Sequence, residues 1–151
     1  MKNRWYLASA VALLACAGAV IAADEAKISL EGITCPISGK KVVAESETKY
    51  KDGVVFFCCQ NCPKAFEKDT AKFAAKANSQ LVATKQYAEV KCPLTGKDLN
   101  TATAIKVNGV EVCFCCNSCK GKATKAEGAE QIELVFGDKA FEKGFKPAKK
   151  E

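Results

Sequence analysis

The chain has 151 residues, enough for one ordinary domain or two very small ones, and it carries 10 Cys but no His. Without imidazole, both the usual general base for a cysteine nucleophile and the usual nitrogen ligand for a metal are missing, so any metal site must be built mostly from sulfur. The formal net charge is +6, but the one Arg is Arg4, and the lysines alternate with acids; this argues for a solvated surface and against nucleic-acid binding.

Residues 1–23 read as a signal peptide. Lys2 and Arg4 supply the positive start, residues 5–23 are uncharged and largely apolar, and Val20, Ile21, Ala22 and Ala23 form a small-residue exit suited to cleavage. A run of roughly 18 apolar residues can also span a bilayer, but its richness in Ala and Gly favours cleavage over anchoring. The stretch Leu13-Leu14-Ala15-Cys16 also has the form of a lipobox. Lipidation of Cys16 would leave residues 17–23 as an apolar leader on the mature protein, which weighs against it. The expected location is therefore periplasmic or secreted, with a lipid anchor at Cys16 as the alternative, and no later segment reads as a membrane span. Cleavage leaves nine cysteines, an odd number, in an oxidising compartment where disulfides are common.

The mature chain contains one unit twice. Ile33 to Cys62 reads ITCPISGKKVVAESETKYKDGVVFFCCQNC, and Val90 to Cys119 reads VKCPLTGKDLNTATAIKVNGVEVCFCCNSC. Cys35, Pro36, Gly39, Lys40, Cys58, Cys59 and Cys62 recur 57 residues later as Cys92, Pro93, Gly96, Lys97, Cys115, Cys116 and Cys119. Seven such coincidences at one offset mark a tandem duplication. The division that follows is a leader at 1–23, modules at 24–86 and 87–142, and a Lys-rich tail at 143–151 expected to fray.

Each copy predicts the same local structure. Cys-Pro followed by Gly-Lys gives a tight turn. Two strand-like runs follow, joined at Asp52-Gly53 or Asn108-Gly109, which are strong hairpin signals. A helix is expected to begin near the Cys-Cys pair. Pro63 suits its first turn, with Cys62, Ala65, Phe66 and Phe73 on one face. In the second copy the face is Cys116, Cys119, Ala123 and Ala126, without an aromatic, and Gly128 suits a stop. Closing strands are expected near 80–84 and 131–136. The second copy is expected to be the weaker unless Phe136 and Phe141 fill its core.

The cysteine spacing is C-x22-C-x3-C in both copies. The last two thiols lie one helical turn apart and face the same side. The hairpin returns the distant Cys-Pro turn to them, and a helix N-terminus favours the thiolate form. Three converging thiolates suit a soft cation, and units of about 55 residues commonly need such a staple. The candidate ligands are Cys35, Cys58, Cys59 and Cys62 in the first copy and Cys92, Cys115, Cys116 and Cys119 in the second. The expected ion is Zn²⁺ or Cu⁺, about one per module. Ser38 and Thr95 stand where a zinc knuckle would place a second Cys, so Cys59 and Cys116 are the candidates for a fourth ligand. Cys113, opposite Phe56 in the repeat alignment, reads as an ordinary buried thiol.

The motifs CPISGK and CPLTGK, followed by FFCCQNC and CFCCNSC, resemble the TRASH/YHS family of metal-binding modules, once per repeat over nearly all of the mature chain. In the first copy FEKDTAKF resembles the family's downstream aromatic segment, with Thr70 where proline is common; the second copy departs there, reading KGKATKAEGAE. The resemblance implies a treble-clef-like α+β fold in each module and a role in heavy-metal trafficking or sequestration. No carboxylate pair, phosphate loop or triad suggests an enzyme. Two alternatives remain at this level. One is a thiol-disulfide protein using Cys59 and Cys62 as a C-x-x-C pair; the other is a disulfide-stapled structural module.

Overall fold

The computed structural model describes residues 28–149. The leader and cleavage site expected at residues 1–23, and Cys16, therefore lie outside the described residues. The architecture is α+β, with hairpins and short helices in two tandem units. In the first unit β1 (Val43–Tyr50) pairs antiparallel with β2 (Gly53–Phe57), followed by α1 (Asn61–Lys68) and α2 (Thr70–Ala83). β3 (Tyr87–Glu89) leads to the second unit, in which β4 (Asn100–Val107) pairs with β5 (Val110–Phe114). There follow α3 (Asn117–Lys125), α4 (Gly128–Phe136), α5 (Asp138–Gly144) and β6 (Phe145–Pro147).

The hairpins form for the reasons the sequence suggests, with one difference. Val107 pairs with Val110 around Asn108-Gly109, and both turn residues have positive φ (49° and 81°), as a type I′ turn demands. In the first hairpin Tyr50 pairs with Gly53, so the two-residue turn is Lys51-Asp52, not Asp52-Gly53. Gly53 is needed there for space: a Cβ on it would lie 2.8 Å from both Leu81 Cδ2 and Gln86 Oε1. Both long strands carry an irregularity, between Val43 and Glu47 and between Asn100 and Ile105. Each irregularity buries an equivalent hydroxyl. Ser46 Oγ donates to the Cys59 carbonyl at 2.7 Å, and Thr103 Oγ1 donates to the Phe114 carbonyl at 2.6 Å.

The helices depart further from expectation. The first is broken at Asp69, whose φ of −146° ends α1 and whose carboxylate accepts the Lys72 N–H to open α2. The segments expected as strands at 80–84 and 131–136 are helical, up to Ala83 in the first. Ala74, Ala77 and Leu81 continue one apolar face of α2 at three- and four-residue spacing, and Ile132, Val135 and Phe136 do the same on α4. Gly128, expected as a stop, opens α4 with φ +55°, three residues after α3 ends at Lys125.

The tail does not fray at 143–147. Phe145 is buried, and β6 pairs antiparallel with β3, Ala88 opposite Lys146. Phe136, Phe141 and Phe145 are all buried, with Phe141 stacked on Phe145 at 5.2 Å and tilted against Tyr87 at 4.9 Å. The late aromatics thus supply the apolar mass that α3 lacks and fill the second unit's core, the condition under which it is not expected to be the weaker. In the first unit Phe66 packs against Tyr50 and Phe57 at 5.2 and 5.5 Å. One continuous hydrophobic cluster joins both units, from Val55, Phe57 and Leu81 to Val112, Phe114 and Val135. Polar ties cross the same boundary: Asn78 Nδ2 donates to the Phe136 carbonyl at 2.8 Å and to Asp138 at 3.0 Å. Lys51 pairs with Asp138 at 3.1 Å, and Asn108 donates to Ser79 Oγ at 2.8 Å.

Candidate metal centres

The two Cys-Pro turns are nearly superposable in their hydrogen bonding. Cys35 N–H donates to the Lys40 carbonyl at 2.7 Å and Gly39 N–H to the Cys35 carbonyl at 2.8 Å. The equivalents, from Cys92 to Lys97 and from Gly96 to Cys92, measure 2.8 and 2.7 Å. Gly39 and Gly96 adopt φ of +71° and +73°, which an L side chain disfavours. This loop presents the sulfur of Cys35 or Cys92 to the start of the helix that follows the hairpin.

Two three-cysteine groups result: Cys35, Cys58 and Cys62, and Cys92, Cys115 and Cys119. Within each group all sulfurs lie within 4.8 Å of one another, and each group could hold a metal ion. The Cys58–Cys62 and Cys115–Cys119 separations are both 3.7 Å. Metal–sulfur bonds of about 2.3 Å place sulfurs about 3.8 Å apart in a tetrahedron and about 4.0 Å apart in a trigonal plane. The donor set and its spacing therefore fit a soft cation.

Cys59 and Cys116, the candidate fourth ligands, stand outside these groups and are exposed. Cys59 Sγ nevertheless lies 3.5 Å from Cys62 Sγ and 3.9 Å from Cys58 Sγ, and Cys116 Sγ lies 3.7 Å from Cys115 Sγ. The positions of the missing knuckle cysteines are also used. Ser38 Oγ sits 3.1 Å from Cys58 Sγ, and Thr95 Oγ1 sits 3.2 Å from Cys115 Sγ. Cys113 lies half-buried on β5, apart from either group. All nine described cysteines are free thiols.

Each cluster contains thiols of opposite acidity. Burial pushes Cys35 up, but the N–H groups of Ser38, Cys58 and Ile37 and the Ser38 hydroxyl outweigh it and bring the thiol down to about 7. Burial likewise raises Cys92, and the Thr95 hydroxyl with the N–H groups of Cys115, Thr95 and Leu94 brings it down to about 7. Cys62 is held well above the ordinary thiol range by burial, then by its sulfur neighbours Cys59, Cys58 and Cys35. Cys119 is pushed up to about 12 by burial and by Cys115 and Cys116. The exposed pair is lowered, Cys59 chiefly by the Asn61 N–H and Cys116 chiefly by the Cys119 N–H. The acidified thiol of the Cys-Pro turn thus faces a thiol of raised pKa across each cluster, and a cation entering must displace the proton of the latter.

Two residues beside the second cluster carried no recognised signal. Glu89 accepts the Cys113 N–H at 2.9 Å through one carboxylate oxygen, while the other is buried without a partner. Burial above all pushes this carboxyl up to about 7. Aligning the repeats could have exposed it, because Glu89 falls opposite Gly32 where Cys113 falls opposite Phe56. Gly144 accepts the N–H groups of Val90 and Lys91 at 2.7 and 3.1 Å through its carbonyl, and a Cβ on it would lie 2.8 Å from Pro93 Cα.

The fold and site define a cysteine-rich α+β protein with two tandem three-thiol clusters. No protein-family model, curated protein sequence or solved structure matches the chain. Among the described residues no helix is long and apolar enough to cross a membrane.

Proposed function

We infer that this is a non-enzymatic, exported metal-binding protein that holds one soft cation, Cu⁺ or Zn²⁺, in each repeat, in the service of heavy-metal trafficking or sequestration. The observation that carries this reading is the recurrence of one three-sulfur cluster, with the same 3.7 Å edge, in both copies of a unit repeated at a 57-residue offset. Disulfides join sulfurs two at a time, so three sulfurs converging in each copy suit a cation better than a bridge. The resemblance of CPISGK, CPLTGK and the paired FFCCQNC and CFCCNSC motifs to TRASH/YHS modules supports the same reading, and the leader-like residues 1–23 support export. Three thiolates satisfy Cu⁺ alone, whereas Zn²⁺ would complete a tetrahedron with a fourth donor.

The test is native mass spectrometry of the reduced mature protein after reconstitution with Cu⁺ or Zn²⁺, paired with thiol titration of the protein isolated without reductant. Two equivalents are expected, together with cysteines that react only after a strong chelator is added. Absence of bound metal after reconstitution would sink the reading. Thiols that never react, even with chelator present, would favour a disulfide-stapled module instead.

A further inference from the structure

The first repeat contains a second triangle of sulfurs sharing an edge with its three-cysteine group. In the first repeat the inner triangle is Cys35, Cys58 and Cys62, and the outer one is Cys58, Cys59 and Cys62. The outer edges measure 3.9, 3.5 and 3.7 Å, close to the roughly 4.0 Å that three sulfurs need around one trigonal ion. The outer position requires almost no reorganisation. The two triangles differ in depth: Cys35 is 1% exposed, whereas Cys59 faces solvent. The second repeat keeps the difference in depth and two of the outer edges, with buried Cys92, exposed Cys116 and 3.7 Å from Cys115 to Cys116 and to Cys119.

We propose that each repeat is a two-position site, in which a soft cation seated on Cys35 or Cys92 passes to the exposed thiol of Cys59 or Cys116 and from there to a thiolate of another protein. The proposal rests on metal binding at the clusters. In the shift, the bond from the ion to Cys35 Sγ breaks as one to Cys59 Sγ forms, and Cys58 and Cys62 hold the ion throughout. Cys59 gives its thiol proton to solvent and the released Cys35 sulfur is free to take one up. The coordination number stays at three and the oxidation state is unchanged. Thiolates from the acceptor then replace Cys59, Cys58 and Cys62 in turn by the same exchange, each released sulfur being free to take up a proton. The partner this geometry fits is a protein with its own cysteine-based site, since a carboxylate or imidazole acceptor would compete poorly for a soft ion.

A static fourth ligand and a relay ligand predict opposite signs when removed. Losing a static ligand weakens the hold on the ion and speeds its release; losing a relay closes the outward path and slows transfer. The experiment loads the full mature chain with Cu⁺ without oxygen and follows transfer to a fluorescent peptide bearing two cysteines. For the parent chain the rate should rise in proportion to peptide concentration. In Cys59→Ser with Cys116→Ser, both at exposed positions, transfer should slow at least tenfold. In Cys35→Ser with Cys92→Ser, the ion should remain bound at the outer position and transfer faster than from the parent. A rate for the Cys59→Ser, Cys116→Ser chain equal to or above the parent's would overturn the relay while leaving metal binding intact. A parent chain that takes up no Cu⁺ would overturn the metal reading itself.

Discussion

Phe56 in β2 and Cys113 in β5 are equivalent in the repeat, and each donates its backbone N–H to a side chain, but to different chemistry. Gln80 Oε1 accepts the Phe56 N–H at 2.6 Å, while its Nε2 donates to the Phe56 and Thr34 carbonyls at 2.9 and 3.1 Å. Glu89 accepts the Cys113 N–H but has nothing to give back when ionised, and one buried oxygen stays unpaired. Its carboxyl is accordingly raised from about 4.5 to about 7, first by burial. A folded-state pKa above the unfolded one means that the native state holds the proton more tightly. The stabilisation is complete below about 4.5 and is lost as pH rises through about 7. Glu89→Gln should remove that pH dependence and restore the donor that Gln80 supplies in the first repeat, a gain of about 1 kcal/mol at pH 8. Thermal melts of both chains at pH 5 and pH 8 check this. The difference between them should be small at pH 5 and favour the variant at pH 8, and a variant less stable at both would show that the unpaired oxygen is not a liability.

The short elements β3, α5 and β6 hold the second Cys-Pro turn from behind, and Gly144 marks their closest approach. Its missing side chain lets α5 end against Pro93 and Lys91. Gly144→Ala should cost about 1–3 kcal/mol by overpacking, more than the helix propensity gained. Metal affinity should then fall at Cys92, Cys115 and Cys119 while the first cluster changes little; an equal loss at both would place the strain in the shared core. None of these three elements was legible in the sequence. The Cys-Pro turns, hairpins and converging thiols were, because each rests on local chemistry: a Pro-Gly turn, Asn108-Gly109, sulfurs four residues apart. β3 and β6 are three residues each and form only because their partner lies about 57 residues away, which leaves no period to read. Leu81-Val82 looked strand-like in isolation, but Leu81 is the last member of a helical face that includes Ala74 and Ala77. The inward position of Cys35 against the outward one of Cys59 was equally hidden, since both are cysteines and only the fold assigns depth.

At the scale of the whole molecule the duplication has produced two sites on one core. Modules drawn at 24–86 and 87–142 would each need their own apolar interior, yet α2 and α4 close a single cluster in which Leu81 and Val135 are both fully buried. Asn78 and Asp138 fasten the same boundary with hydrogen bonds. Independent modules of about 55 residues would be marginal, and sharing the interior removes that difficulty without a staple. The expected consequence is one cooperative unfolding transition for the metal-free reduced chain. Its calorimetric enthalpy should be about 85 kcal/mol at about 0.7 kcal/mol per described residue, equal to the van't Hoff value. Two independent modules would instead give a van't Hoff enthalpy of about half the calorimetric one. Coupling through the core also means that a change in one unit is felt in the other. Leu81→Ala, which opens a cavity in the first unit, should cost about 2–5 kcal/mol and lower the apparent metal affinity of both clusters, since binding and folding draw on the same free energy. Two resolved transitions, or a Leu81→Ala chain whose second cluster keeps its full affinity, would mean that the repeats fold separately despite their contact.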